Sequence, residues 1–243
     1  MAEAKDNSKD SHSTAASHGR LTMEGMIENA IRVCNYMLDP KSPGVPRRLL
    51  EVCSGVAFIS TAEAGFFISA SGGTGIVIRR DENTGKWSPP SAIGTGGVGF
   101  GLAFGAEVKD IVMVMIDESA VRALSGEVQV KLGGQMAIAA GPIGREAEGA
   151  FTLSNKGAGM TFTYSIVKGL FAGINMEGAI VGARKAENKK FYNSDASPHD
   201  ILFTEGAVLI PDGSHIPTLY QKLTLMEQGK TVDPSHDIEI PSS

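Results

Sequence analysis

The chain has 243 residues, 42% of them hydrophobic, enough to build the core of one large domain. A formal net charge of −5 excludes nucleic-acid binding driven by overall charge. The two cysteines, Cys34 and Cys53, lie in or beside apolar segments without metal-ligand spacing, which excludes a disulfide scaffold and points to a reducing compartment.

Met1 to Gly19 is polar, rich in Ser, Lys, Asp, His and Ala. It has no apolar stretch, so it does not read as a signal peptide. It cannot bury enough apolar area to offset ordering entropy, and a disordered tail is expected over residues 1–19. No run of about 18 apolar residues occurs, so any membrane contact is expected to be peripheral.

A helix is predicted from Met23 to Leu38. Thr22 is its N-cap, and Met23, Met26, Ile27, Ala30, Ile31, Cys34, Met37 and Leu38 form one stripe at helical spacing. Asp39-Pro40 ends it. The opposite face carries Glu24, Glu28, Asn29, Arg32 and Asn35. The stripe has two readings, a face packed on the core or an interfacial membrane helix, and the latter normally carries Lys and Arg on its polar face. Pro46 to Glu51 reads as one more helical turn.

From Val52 the pattern turns to β. Apolar or alternating runs appear at 56–60, 66–70, 75–80, 97–106, 111–116, 128–132, 136–140, 150–153, 160–165 and 174–184, and turn signals such as Gly72-Gly73 and Pro89-Pro90 separate many of them. Short helices are predicted at 117–124 and 186–191. A longer one is predicted at 216–228, with Pro217 in its first turn. An ordered domain is thus expected over 20–228 and a disordered acidic tail over 229–243. The fold class is α+β. One domain is expected, with a strongly curled, barrel-like, many-stranded and mainly antiparallel sheet, an N-terminal amphipathic helix and a C-terminal helix.

The run Gly94 to Ala106 holds the most information. From Gly97 the glycines recur at every second position, Gly97, Gly99, Gly101 and Gly105, so an extended strand there has one bare face and close packing is expected against it. The same letters match G-x-G-x-x-G at 94–99. A dinucleotide site needs a strand before and a helix after that motif, whereas here Trp87-Ser-Pro-Pro precedes it and period-two alternation follows.

Catalytic constellations are thin, and no enzyme activity or cofactor is expected. His199-Asp200 reads as a surface pair. Cys53 reads as a buried thiol. Asp110, Asp117 and Glu118 lack the spacing of a calcium loop. Basic residues gather at Lys41, Arg47 and Arg48, and again at Arg184, Lys185, Lys189 and Lys190, where only Glu187 opposes them. Such clusters attract anionic lipid by about 1 kcal/mol per residue near the surface.

The motifs Gly72-Gly-Thr-Gly-Ile-Val, Trp87-Ser-Pro-Pro-Ser-Ala-Ile-Gly, Gly97-Val-Gly-Phe-Gly, Leu132-Gly-Gly, Ala140-Gly-Pro-Ile-Gly-Arg145, Tyr164-Ser-x-x-Lys-Gly-Leu-Phe-Ala-Gly173, Asn188-x-x-Phe-Tyr192 and Asp200-Ile-Leu resemble the SYLF domain. The resemblance covers roughly Val45 to Leu202. It implies a non-enzymatic module that binds phosphoinositides or other anionic lipids, and in some relatives actin. It implies a cytoplasmic protein, peripheral on endosomal or cortical membranes, with a place in endocytosis and membrane trafficking. Lipid contact would fall on the first helix and the nearby basic residues Lys41, Arg47 and Arg48. Lys185, Lys189 and Lys190 would add charge, and Met23, Met26 and Ile27 would insert. The alternative is an adaptor that binds actin filaments with no direct lipid role. The segment after Gln228 is too short for a Src-homology-3 or FYVE domain, so a stand-alone module is expected.

Overall fold

The computed structural model describes residues 19–42, 44–66, 68–100, 105–126, 129–132, 138–141, 160–167, 170–173 and 179–232. Helix α1 spans Met23–Leu38 and helix α2 Arg47–Val52. Four strands follow, β1 Gly55–Phe66, β2 Ile68–Arg79, β3 Ser91–Phe100 and β4 Gly105–Met115. Helix α3, Glu118–Ser125, comes next. Five short strands complete the sheet: β5 Val130–Lys131, β6 Ile138–Ala140, β7 Thr161–Val167, β8 Leu170–Gly173 and β9 Ile180–Ala183. The chain closes with α4 Lys185–Tyr192, α5 Pro198–Phe203 and α6 Ile216–Glu227.

Among the described residues the strands form one curled sheet in the order β5-β9-β3-β2-β1-β4-β7-β6, with β8 beside β7. Every pairing is antiparallel except β6 with β7. The first four strands form a Greek key, because β4 returns to lie beside β1 rather than β3. This corrects the expectation of one strand over 97–106. The run is divided between β3, which ends at Phe100, and β4, which begins at Gly105, and the two flank opposite sides of the β1–β2 hairpin. Residues 101–104 lie outside the described residues, as do the expected strand at 150–153, residues 136–137 of the one expected at 136–140, residues 174–178 of the one expected at 174–184, and the segments 1–18 and 233–243.

The alternation of β-strand side chains divides the core in two. On one face Val56, Phe58, Ile76, Ile78, Val112, Val114 and Tyr164 meet α1, α2 and α6. On the other Ala57, Ile59, Val77, Ile93, Met113 and Val181 meet α3 and the end of α5. Helix α1 starts where expected because Thr22 accepts the Gly25 amide through its hydroxyl at 3.2 Å. It is more deeply buried than one stripe predicts, since Asn29 and Val33 are also inside. It lies between the sheet and α6. The ordered chain runs past Gln228: Gly229 adopts φ +64°, the left-handed turn that ends a helix, and the Val232 amide donates to Leu38 O at 3.1 Å.

Glycine serves two opposite purposes on β2. At Gly75 a Cβ would collide with the Phe58 carbonyl. At Gly72 a Cβ would meet nothing within 4 Å. Close packing therefore occurs at Gly75, within the β1–β2 pair, and in the alternating run at Gly97, where a Cβ would meet the Ser71 hydroxyl at 3.2 Å.

Candidate functional site: the basic corner at the start of the first helix

Helix α4 begins directly after β9, and its first turn is fixed by hydrogen bonds rather than by apolar contact. The Arg184 amide donates to Ala92 O at 2.8 Å. Buried Asn188 accepts the Ala92 amide at 2.7 Å and donates to the Ser91 hydroxyl at 2.9 Å. Tyr192, one turn on, donates to Pro90 O at 2.7 Å. Arg184, which precedes α4, and Asn188 and Tyr192 within it thus bind Pro90 and the start of β3, and this leaves Lys185, Lys189 and Lys190 on the outer face, all exposed.

The same turn holds the start of α1. Arg184 donates to Leu21 O at 2.7 Å, and Glu187 accepts the Met23 amide at 2.7 Å. The Glu187 carboxylate satisfies one of the helix's orphan donors and sits at the positive end of its dipole. Leu21, just outside the helix, is 57% exposed at this corner.

Between α4 and α5 lies a cavity of about 260 Å³ lined by Lys185, Lys189, Ser194, Asp195, Ser197 and neighbouring small residues. Lys189 Nζ pairs with Asp195 at 2.6 Å, and both side chains are mostly exposed. An exposed pair of this kind is worth about 0–1 kcal/mol, so an incoming anion displaces Asp195 at little cost. Ser197 caps α5: its hydroxyl accepts the Asp200 amide at 3.0 Å and donates to the Asp200 carboxylate at 2.7 Å. That hydrogen bond holds the Asp200 carboxyl below its usual range. Two ammonium groups around one cavity suit a phosphate ester, since ammonium binds phosphate as a point charge, and the Ser194 hydroxyl, which only accepts within the protein, supplies a further donor.

The other residues expected to bind ligand are elsewhere. Lys41, Arg47 and Arg48 follow the far end of α1, about 24 Å along its axis from Glu187. Arg47 is held there, donating to Glu51 at 2.8 Å and to Glu227 O at 2.9 Å. The six cations therefore form two groups and not one. Met23, Met26 and Ile27 are 0, 2 and 0% exposed, within the core. They were expected to insert into a bilayer, but their apolar surface already packs on the sheet, and insertion would require α1 to leave it. The sequence reading did not identify Leu21, Ser194 and Ser197 as site residues. The signal for Ser197 was present as Ser-Pro-x-Asp, an N-cap followed by proline at the first helical position. Leu21 carried a misleading one, because a residue before the N-cap normally packs back on the helix.

The minor candidates resolve into structural roles. Cys53 donates to Leu50 O at 3.2 Å, and burial pushes its thiol up to about 12. His199 stacks on Phe203 with ring centroids 4.7 Å apart, while its neighbour's carboxylate is taken by Ser197. Asp110 binds Asn29 and Arg32, Asp117 accepts the Met160 amide, and Glu118 binds Arg79 and Arg122. Among the described residues no three potential ligands converge on a metal position. The G-x-G-x-x-G match lies inside β3, so no helix follows it. No helix of the described residues is long and apolar enough to cross a membrane.

A family profile described as "Ysc84: Las17-binding protein actin regulator" matches residues 96–225, more than half of the chain. The chain belongs to the Ysc84 family. The match runs from β3 to α6, so it includes the whole of the basic corner except the start of α1. This Ysc84-family chain is 43% identical over 159 residues to SH3 domain-containing YSC84-like protein 1 of Pongo abelii, covering 65% of the chain and 46% of that protein. The corresponding protein of Rattus norvegicus is 40% identical over 179 residues, 74% of the chain and 51% of that protein. Protein YSC84 of Saccharomyces cerevisiae is 39% identical over 167 residues, 69% of the chain and 35% of that protein. The chain thus spans about half the length of the animal relatives it matches, and about a third of the yeast one. No solved structure matches it significantly.

Proposed function

We propose that this chain is a non-enzymatic adaptor of the actin cytoskeleton that attaches peripherally to phosphoinositide-containing membranes through the α4–α5 corner. The observation that carries the membrane reading is the cavity between Lys185 and Lys189, with Ser194 and Ser197 on its wall. A phosphorylated headgroup enters it, exchanges Asp195 for a ligand phosphate on Lys189, and gains the charge of Lys190 alongside. Leu21 supplies the apolar contact in place of the buried Met23, Met26 and Ile27. Lys41 and Arg48, at the other end of α1, supply longer-range attraction and no headgroup pocket. The protein is then cytoplasmic, on endosomal or cortical membranes.

Co-sedimentation with phosphoinositide vesicles, against vesicles of neutral lipid alone, tests the reading. Binding should weaken as salt rises. Lys185→Ala with Lys189→Ala should weaken it roughly 30-fold, the effect of two charges at about 1 kcal/mol each. Equal binding by the wild type and the double variant refutes the corner as the site.

The description of the matching family, a Las17-binding actin regulator, favours a second reading. In this reading the chain binds actin filaments and has no direct lipid role. Co-sedimentation of the chain with filaments, together with no preference for phosphoinositide vesicles, would select it.

A further inference from the structure

The turn after β2 builds a second cavity, at the opposite end of α5 from the basic corner. The Asp81 amide donates to Lys86 O at 2.9 Å, and Gly85, at φ +68°, donates to Asp81 O at 2.8 Å. This closes a tight turn that brings Trp87 back beside Arg80. The next residue is fixed to β2 twice: the Ser88 amide donates to Arg79 O at 2.8 Å, and the Ser88 hydroxyl accepts the Arg79 amide at 3.0 Å. Trp87, Ser88 and Pro89 line a cavity of about 240 Å³, to which the end of α5 contributes Ile201, Leu202 and Phe203. Phe203 is held by His199 stacked on it and by the guanidinium groups of Arg79 and Arg122 over its ring. The lining charges balance, Arg79 and Lys86 against Asp81 and Glu205.

The hydrogen-bonding groups of this cavity are one-sided. Trp87 Nε1 and Arg79 Nε are buried donors with no acceptor among the described residues. The carbonyls beside them are engaged: Ser88 O accepts Tyr220 at 2.9 Å, Pro89 O the Ser88 hydroxyl at 3.0 Å, and Pro90 O Tyr192 at 2.7 Å. A buried donor without a partner is costly, so an occupant that brings an oxygen acceptor is favoured. One that brings N–H donors as well gains nothing from these carbonyls. We propose that the cavity receives a proline-containing segment of a partner protein in the polyproline II conformation. Proline carries a carbonyl and no N–H, its ring packs on aromatic and apolar side chains, and the conformation is formed before binding. The balanced charge of the lining suits this neutral ligand rather than a carboxylate or phosphate. The volume is below the roughly 300 Å³ at which drug-sized pockets begin, and it suits the rings of an extended segment that continues across the surface. Trp87 is half-buried, and a small turn of its ring brings the indole N–H to a ligand carbonyl.

Trp87 is the single tryptophan of the chain, so its emission reads the site directly. Titration of the full chain with decaproline should change that emission saturably below about millimolar peptide. A glycine–serine decapeptide, which carries an N–H at every residue, should leave it unchanged. Trp87→Phe keeps a ring and removes the donor, and calorimetric titration should show decaproline binding weakened about tenfold. Thr204→Phe, at an exposed position on the edge of the cavity, keeps the tryptophan and should abolish the emission change. Lys185→Ala with Lys189→Ala should bind decaproline as the wild type does, which separates this site from the basic corner. No response to decaproline overturns the proposal. So does an equal response to the glycine–serine peptide, or an emission change that survives Thr204→Phe. A change produced by inositol phosphate and not by decaproline also overturns it, and assigns the cavity to an anion.

Discussion

The Glu187 carboxylate accepts the backbone amide of Met23 at 2.7 Å, although 164 positions separate the two residues. This bond joins the first turn of α4 to the first turn of α1. It makes the basic corner and the N-terminal helix one unit, which periodicity in either segment could not indicate.

Removing that carboxylate should loosen α1 at its start. Glu187→Ala is expected to cost about 1–2 kcal/mol in urea unfolding, through a lost charge-assisted hydrogen bond and a lost favourable interaction with the helix dipole. Glu187→Gln keeps an acceptor and should recover part of the loss. No change in either variant would mean that the helix start is held by other contacts alone.

Packing of α1 on the sheet separates two modes of membrane contact. Ile27→Ala opens the core beneath the helix and should cost about 3 kcal/mol of stability. With α1 docked, vesicle binding by the folded variant should equal that of the wild type. If α1 must leave the sheet to insert, weaker packing favours release, and binding should rise instead. Titration of both proteins with the same vesicles decides between them.

The glycines of β2 should respond in opposite directions. Gly75→Ala drives a Cβ into the Phe58 carbonyl and should destabilise by about 2–3 kcal/mol, as other overpacked sites do. Gly72→Ala meets open space and should stay within about 0.5 kcal/mol of the wild type. Thermal or urea unfolding of the pair reads this directly, and equal losses would contradict the geometry.

Acid should weaken the attachment of α3. Partial burial opposes the charge on Glu118, but hydrogen bonds from Arg122 and Arg79 outweigh it and hold the carboxyl below its ordinary 4.5. The unfolded chain therefore takes up this proton first as pH falls. The stabilisation from Glu118 is complete above its unfolded value and is lost as pH drops through the folded one. Stability of the wild type measured between pH 3 and 6 should fall more steeply than that of Glu118→Gln. Parallel curves would show that Glu118 contributes no pH dependence.

Helix α1 was legible residue for residue, because an apolar stripe, an Asp-Pro stop and the Thr22 cap all agree. The short helices α2, α3 and α4 were found to within a residue or two. Strand β3 was missed over Ser91–Gly96, because a stretch of Gly, Ser and Thr has low strand propensity and is held there by its partners on both sides. Helix α5 was missed although Ser197-Pro198 marks its start, because the segment before it is rich in Asn, Ser, Asp and Pro and reads as a turn. The basic corner was only half legible. Lys185, Lys189 and Lys190 stood out as a charge cluster, but Ser194, Ser197 and Leu21 acquire their roles only through neighbours distant in sequence.

Composition and local pattern alone determined the α+β class, the start and end of α1 and the buried character of both cysteines. These depend on near-neighbour rules, and the sequence states such rules directly. Tertiary structure decided which apolar residues remain available. A stripe of methionine and isoleucine reads the same whether it faces a bilayer or a sheet, and only the sheet beneath α1 settles that it is spent on the core. The alternating glycines were likewise legible as a bare strand face. That the run is divided between β3 and β4, on opposite sides of the β1–β2 hairpin, follows from strand order and register, which are set by contacts between residues far apart in the chain.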